Sequence, residues 1–545
     1  MTRRNPIERV RSARRLASAG VLRRAVDAGF LDPRSMRAGL RASPWLLGRG
    51  GSLGWLSQVN ALARPGKPAV IDRGGTLTWR EVDARANRLA RGLGGLGVAP
   101  GDTVSLLLRN GREFAEAVYA CHKRGNVVAP LNTWAKAQEL RGVLEQVRPK
   151  ALLYDGRHAA ELRDAVPEGT RLVEIGDGGE LPGVEPYEAL LARQEDGHLS
   201  PVTLRRGSRR LVIQTSGTTG RPKGAARAAG AGELQALLAR LSVVPYRRED
   251  VVLIPAPLFH SFGMLTLSIA SLLGATMVLP ESFEPEQTLQ LIDLHRATAA
   301  SLVPVMIRRT VSLPDEVRSR YDVSSLRILL ASGSALTEPV RAAAREVFGD
   351  VLYDLYGSTE TGWVAIATPG DMRARPGTVG RPVPGVDVAV FSRDGKRLGH
   401  GEVGALYIRS NFLFEGYTSG ERKDERRGYV SIGDVGHVDD RGYVFVEGRG
   451  DDMVVVGGEN VYPAEVEQAI ERVAGVGEVA VVGIPDEEYG HVLAAYVVGT
   501  ASEDLIRETC RRDLASFKVP RRIEVLDELP RTATGKVLKR ELVRR

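Results

Sequence analysis

The chain reads as an α/β protein: a large N-terminal domain of layered α/β subdomains with a β-rich subdomain, then a small α+β C-terminal domain. Three observations predict this. Strand-like and helix-like segments alternate from about residue 53, as at 103–108, 113–123, 127–130 and 135–146, the pattern of parallel strands joined by helices. Short strands punctuated by turns come next, at 387–391, 404–409 and 442–447. After Gly448-Arg449-Gly450-Asp451-Asp452 the pattern becomes a strand at 453–456, a helix at 463–473 and a strand at 479–484. The expected boundaries are a basic extension over 1–52, a main domain over 53–448 and a C-terminal domain over 449–545.

At 545 residues, with 43% hydrophobic and 26% charged residues, the chain has the composition of a multidomain globular protein. Its two cysteines, Cys121 and Cys510, cannot staple a chain of this size, so a reducing compartment is expected. No apolar run reaches the roughly 18–20 residues that span a bilayer. The N-terminus lacks the apolar core and cleavage site of a secretory signal, and a cytoplasmic protein is expected.

The net charge of +8 is unevenly placed. Residues 1–52 hold twelve arginines and three acids, and the remainder is nearly neutral, which argues against a nucleic-acid-binding face on the folded body. In that segment Ile7, Val10, Ala17 and Val21 fall at roughly helical spacing among Arg9, Arg11, Arg14 and Arg15, with a flexible glycine run after them at 48–54. Such a helix can rest peripherally on an anionic membrane, or it can be a solvated or body-packed extension. Over the whole chain positive charge is written as 65 arginines against 10 lysines, so each lysine carries information.

The strongest chemical signal is the run Leu211-Val-Ile-Gln-Thr215-Ser216-Gly217-Thr218-Thr219-Gly220-Arg-Pro-Lys223-Gly224. An apolar strand enters a loop of glycines and hydroxyls that ends in a lysine, which suits phosphate oxygens. A P-loop ATPase would need Gly-Lys with Ser or Thr directly after; here Lys223 lies between Pro222 and Gly224. The loop resembles the signature of the adenylate-forming superfamily, which includes acyl-CoA synthetases, aryl-CoA ligases, luciferase and peptide-synthetase adenylation domains.

Further motifs resemble that superfamily in the same order, over about residues 55–545. In Tyr356-Gly357-Ser358-Thr359-Glu360 the resemblance implies a ring stacked on adenine, a threonine on phosphate and a glutamate on Mg2+. Asp434 resembles the ribose-binding aspartate, Arg449 its partner, and Gly333-Ser334-Ala335 the adenine-edge strand. Pro257-Leu-Phe-His260-Ser-Phe-Gly263 resembles the gate motif beside the carboxylate pocket. Pro530-Arg-Thr-Ala-Thr-Gly-Lys536 resembles the motif of the catalytic lysine, whose ammonium stabilises charge as carboxylate meets α-phosphate.

The resemblance implies a two-step ligase. A carboxylate attacks the α-phosphorus of Mg-ATP to give acyl-AMP and pyrophosphate, and coenzyme A then displaces AMP. Thr215 and the loop hold the leaving phosphates, Glu360 the Mg2+, and Lys536 the reacting centre. The small domain then rotates about Asp451, and the loop carrying Gly457 and Gly458 lines the thiol channel. No acidic residue lies between 251 and 274, which favours an uncharged acyl tail, a fatty acid before an aryl acid. The rivals are an acyl-AMP ligase that loads a carrier protein and a nucleotide-binding protein without catalysis.

Overall fold

The computed structural model describes residues 27–29, 32–41, 53–176, 181–197, 199, 209–215, 223–228, 239–410, 413–414, 416–417, 420, 422–450, 453–530 and 537–544. Ile7, Val10, Ala17, Val21, 216–222, Asp451 and Lys536 lie outside these residues. Five helices frame the site and its domain contacts: α1 (Pro33–Arg41), α2 (Leu53–Ala63), α3 (Ala137–Val147), α4 (Ser261–Leu273) and α5 (Pro463–Ile470).

Two large sheets build the main domain. The first has eight strands among the described residues, with Val127–Pro130, Thr103–Leu107, Ala151–Asp155 and Arg171–Ile175 running parallel at its centre. Helix Arg112–Arg124 makes the first crossover and stops at Gly125, whose left-handed φ of 80° closes the helix. At the sheet's other side Arg209–Thr215 pairs antiparallel with Lys223–Ala228, with Thr215 opposite Lys223. The two ends of the phosphate-loop sequence therefore stand side by side.

The second sheet has nine strands among the described residues, in which Val251–Leu253, Ala299–Leu302, Ile328–Ala331 and Leu352–Ser358 are parallel neighbours. Leu106 of the first sheet, Phe114 of its crossover helix, and Val252, Met277 and Ile328 of the second sheet belong to one continuous apolar cluster. A five-stranded antiparallel sheet over Val386–Phe391 to Val444–Arg449 matches the expected β-rich part.

The small domain packs α5 and helix Glu503–Asp513 on a three-stranded sheet, through Ile470, Val481, Val497 and Ile506. Helix α5 ends at Ile470, short of the expected 473, because Glu471 caps it and the chain turns. Before it, the hairpin Val454–Val456 and Glu459–Val461 turns on Gly457 (φ 59°) and Gly458 (φ 98°), a two-residue turn open to glycine.

The glycine run at the end of the basic extension is shorter than expected. Leu53 and Gly54 form the first turn of α2, and a Cβ on Gly54 would lie 2.8 Å from the backbone of Tyr119 and Lys123. Close helix crossing, not flexibility, requires glycine there. Helix α1 rests on α2 through Ala38 against Val59, and Asp32 ties it to Arg64 (3.1 Å) and Arg248. This part of the extension is packed on the body.

Candidate active site

A cavity of about 1850 Å³ lies between the two domains and is lined by both. One wall is the end of the strand Leu352–Ser358 with the loop after it. Gly357 is obligatory, since a Cβ would stand 2.1 Å from the Gly362 carbonyl oxygen. Tyr356 donates its hydroxyl to Asp434 Oδ2 at 2.6 Å, and Arg449 Nη1 lies 2.8 Å from Asp434 Oδ1. Asp434 and Arg449 are direct cross-strand partners, so a local register brings them together. Burial and the Asp434 carboxylate keep the Tyr356 hydroxyl protonated far above its ordinary range.

Gly333, Ser334 and Ala335 line the same wall beside Ser358 and Thr359. Gly333 takes a φ of 103°, and its Cβ position faces Val303 at 3.3 Å and Gly458 at 3.8 Å. The glycine turn of the small domain therefore reaches this wall. Asp354 and Arg341 brace this wall from behind at 2.8 Å.

Glu360 is buried and accepts from the Tyr417 hydroxyl at 2.7 Å. Burial alone would raise its pKa, but the Lys423 charge and the Tyr417 hydroxyl outweigh it and hold the carboxyl below its ordinary value. An ionised, partly wrapped single carboxylate fits an Mg2+ that arrives with phosphates and keeps most of its waters. No cluster of three or more metal-binding side chains exists among the described residues.

The opposite side is built on the start of α4. His260 precedes the helix, and Gly263 allows the tight entry, for a Cβ there would stand 2.2 Å from the Pro257 carbonyl oxygen. His260 Nε2 lies 2.5 Å from Glu459 Oε1 of the small domain. Trp134 meets Phe259 edge-on at 5.4 Å and Phe517 of the small domain at 6.1 Å. Phe262, Met264, Leu265 and Trp363 line the same cavity, with the Arg240 guanidinium 4.4 Å over the Trp363 ring.

The structure thus gathers His260, Gly333, Ser334, Ala335, Tyr356, Gly357, Ser358, Thr359, Glu360, Asp434, Arg449, Gly457 and Gly458 around one cavity. Thr215 and Lys223 are described only as strand ends, and Ser216, Gly217, Thr218, Thr219, Gly220 and Lys536 lie outside the described residues. Motif reading missed Trp134, Tyr417 and Lys423, while Glu459 falls within the loop 456–460 expected along the thiol channel. For Lys423 a signal existed, the scarcity of lysine in an arginine-rich chain.

The model for AMP-binding enzymes matches residues 57–418, and that for the AMP-binding enzyme C-terminal domain matches 465–536. The chain belongs to the AMP-binding enzyme family. It is 31% identical over 506 residues to the long-chain-fatty-acid–CoA ligase FadD13 of Mycobacterium tuberculosis, covering 90% of this chain and 97% of that one. It is 32% identical over 508 residues to the indoleacetate–CoA ligase of Aromatoleum aromaticum, covering 90% and 98%. Its structure is similar to that of a double mutant of o-succinylbenzoate CoA synthetase (MenE) from Bacillus subtilis bound with its product analogue OSB-NCoA. That match has a TM-score of 0.80 at 28% identity and covers 90% of this chain and 98% of that one. This AMP-binding enzyme is an acid–thiol ligase, an acyl-CoA synthetase that takes ATP and coenzyme A as substrates. No described helix is long and apolar enough to cross a membrane.

Proposed function

We propose that the protein is a fatty acid–CoA ligase that works through acyl-AMP and releases AMP and pyrophosphate. The observation that carries this reading is the apolar set Phe259, Phe262, Met264, Leu265 and Trp363, which lines the same cavity as His260. It offers a tail-binding wall next to the groups that would bind nucleotide. FadD13 lends support as a relative that acts on long-chain fatty acids.

In the first step Glu360 would hold a Mg2+ that accompanies ATP and offsets phosphate charge, and Asp434 takes the ribose hydroxyls. Tyr356, set by its own bond to Asp434, offers its ring to adenine. The loop from Thr215 to Lys223 holds the leaving phosphates. Lys536 neutralises charge where the carboxylate attacks, a preorganised electrostatic contribution. In the second step Lys536 withdraws, and the turn at Gly457–Gly458 borders the path of the thiol. The contact between Glu459 and His260 and the proximity of Gly458 to Gly333 fit the second step.

One observation favours a second reading. Arg240 is buried in the cavity wall against Trp363, and a guanidinium there suits an aryl or oxygen-bearing tail better than a bare alkyl chain. ATP–pyrophosphate exchange across acids of graded length and aromaticity tests both readings. Exchange strongest with unbranched fatty acids supports the first, and exchange strongest with aryl or oxo acids replaces it with the second. Product analysis with coenzyme A present and absent separates either from an acyl-AMP ligase that loads a carrier.

The reading includes a peripheral membrane contact through α1. Its outward face carries Met36 and Leu40, 55% and 73% exposed, beside Arg34, Arg37 and Arg41, while Ala38 faces the body. An apolar stripe edged with arginine suits an anionic lipid surface.

A further inference from the structure

Lys518 stands among acids from both domains. Its ammonium lies 2.6 Å from Glu139 Oε1 on α3 of the large domain and 2.5 Å from Glu465 Oε1 on α5 of the small domain. All three side chains are about one-tenth exposed. Glu465 belongs to the same domain as Lys518 and travels with it. Glu139 is reached only when the small domain sits as it does here.

Both chemistry and local structure prepare this meeting. Three rotatable N–H donors on one point charge serve two separate carboxylate oxygens, one from each domain. The second oxygen of Glu139 accepts from the Lys136 backbone N–H at 2.9 Å, so the first turn of α3 holds the carboxylate in place. Phe517, adjacent to Lys518, meets Trp134, which in turn meets Phe259 beside His260.

We propose that Lys518 and Glu139 form an interdomain latch, a positioning pair that holds the small domain where Gly457, Gly458 and Glu459 face the cavity. The pair must part before the domain can rotate to deliver Lys536. The latch rests on the two-step ligase reading. Rotation leaves neither partner buried and alone: Glu139 returns to water and Lys518 keeps Glu465. The latch therefore has two tolerable states, which a permanent buried pair lacks.

Glu139→Gln keeps the size of the side chain while removing the charge that meets Lys518. Two measurements on the full chain test its effect. Spin labels on Leu294→Cys and Val525→Cys, exposed sites on the large and small domains, report interdomain distance, since Cys121 and Cys510 are buried. E139Q should broaden or shift the wild-type distance distribution. With the acid that exchanges best, E139Q should leave ATP–pyrophosphate exchange within about twofold. It should slow transfer from supplied acyl-AMP to coenzyme A by roughly tenfold or more, the scale of one charge-assisted hydrogen bond. E139Q added to K518M should slow transfer no further than K518M alone, because a pair acts as one unit. Unchanged distances, or equal effects on both half-reactions, would overturn the latch. Failure of the wild type to exchange with every acid would instead overturn the ligase reading, and the distance measurement would still judge the latch.

Discussion

Asp434→Asn tests the proposed nucleotide site most directly. The carboxylate is buried, one oxygen accepts from Tyr356 at 2.6 Å, and the other lies 2.8 Å from Arg449. Ribose hydroxyls would have to approach these same two oxygens. Asparagine preserves the shape, removes the charge and replaces one acceptor oxygen with a donor. At least one hydrogen bond to a charged acceptor is lost, worth about 1.5–3 kcal/mol. The expected fall in kcat/KM for ATP is therefore roughly 10- to 150-fold. Arg449 is partly exposed and can be resolvated, so the folding cost should be small beside the catalytic one. The assay is ATP–pyrophosphate exchange at saturating acid, with a thermal melt as the folding control. KM for the acid should change little. A folded D434N enzyme within about threefold of the wild type on ATP would refute the ribose role.

Four further outcomes are expected. Trp363→Ala should move the preferred substrate to longer acids, each newly buried methylene adding about 0.8 kcal/mol or roughly fourfold in affinity; KM across a chain-length series reads this. Glu116 is pushed up to about 7 because burial outweighs its pairing with Arg85, so its contribution to stability is full below its ordinary pKa and lost as pH rises through about 7. Melting curves from pH 5 to 8 should accordingly flatten in Glu116→Gln. Met36→Asp with Leu40→Asp should reduce cosedimentation with phosphatidylglycerol vesicles and leave exchange with a soluble acid unchanged. Lys536→Ala should abolish acyl-AMP formation while largely sparing thioester formation from supplied acyl-AMP; equal loss of both would end that division of labour.

Much of the fold was legible because it is written locally. The strand Thr103–Leu107 and the helix Arg112–Arg124 follow from periodicity, and Gly125 marks the helix end. Asp434 and Arg449 were legible as motif members, and their pairing needs only the register of two adjoining strands. The contacts of His260 with Glu459 and Lys518 with Glu139 were not legible. They join distant residues and exist only for one placement of the small domain, which no local pattern encodes. The start of α2 was misread for a related reason. Gly54 looks like a hinge in one dimension, yet it serves a helix crossing with Tyr119 and Lys123.

Trp134 gives the enzyme a built-in optical reporter. Among the described tryptophans it alone has a ring contact with an aromatic of the small domain, while Trp79 and Trp363 are buried within the large one. Undocking would leave its indole facing solvent on the side that Phe517 now covers. The emission of an unlabelled protein, with Trp134→Phe as the blank, should therefore track domain motion in real time during turnover.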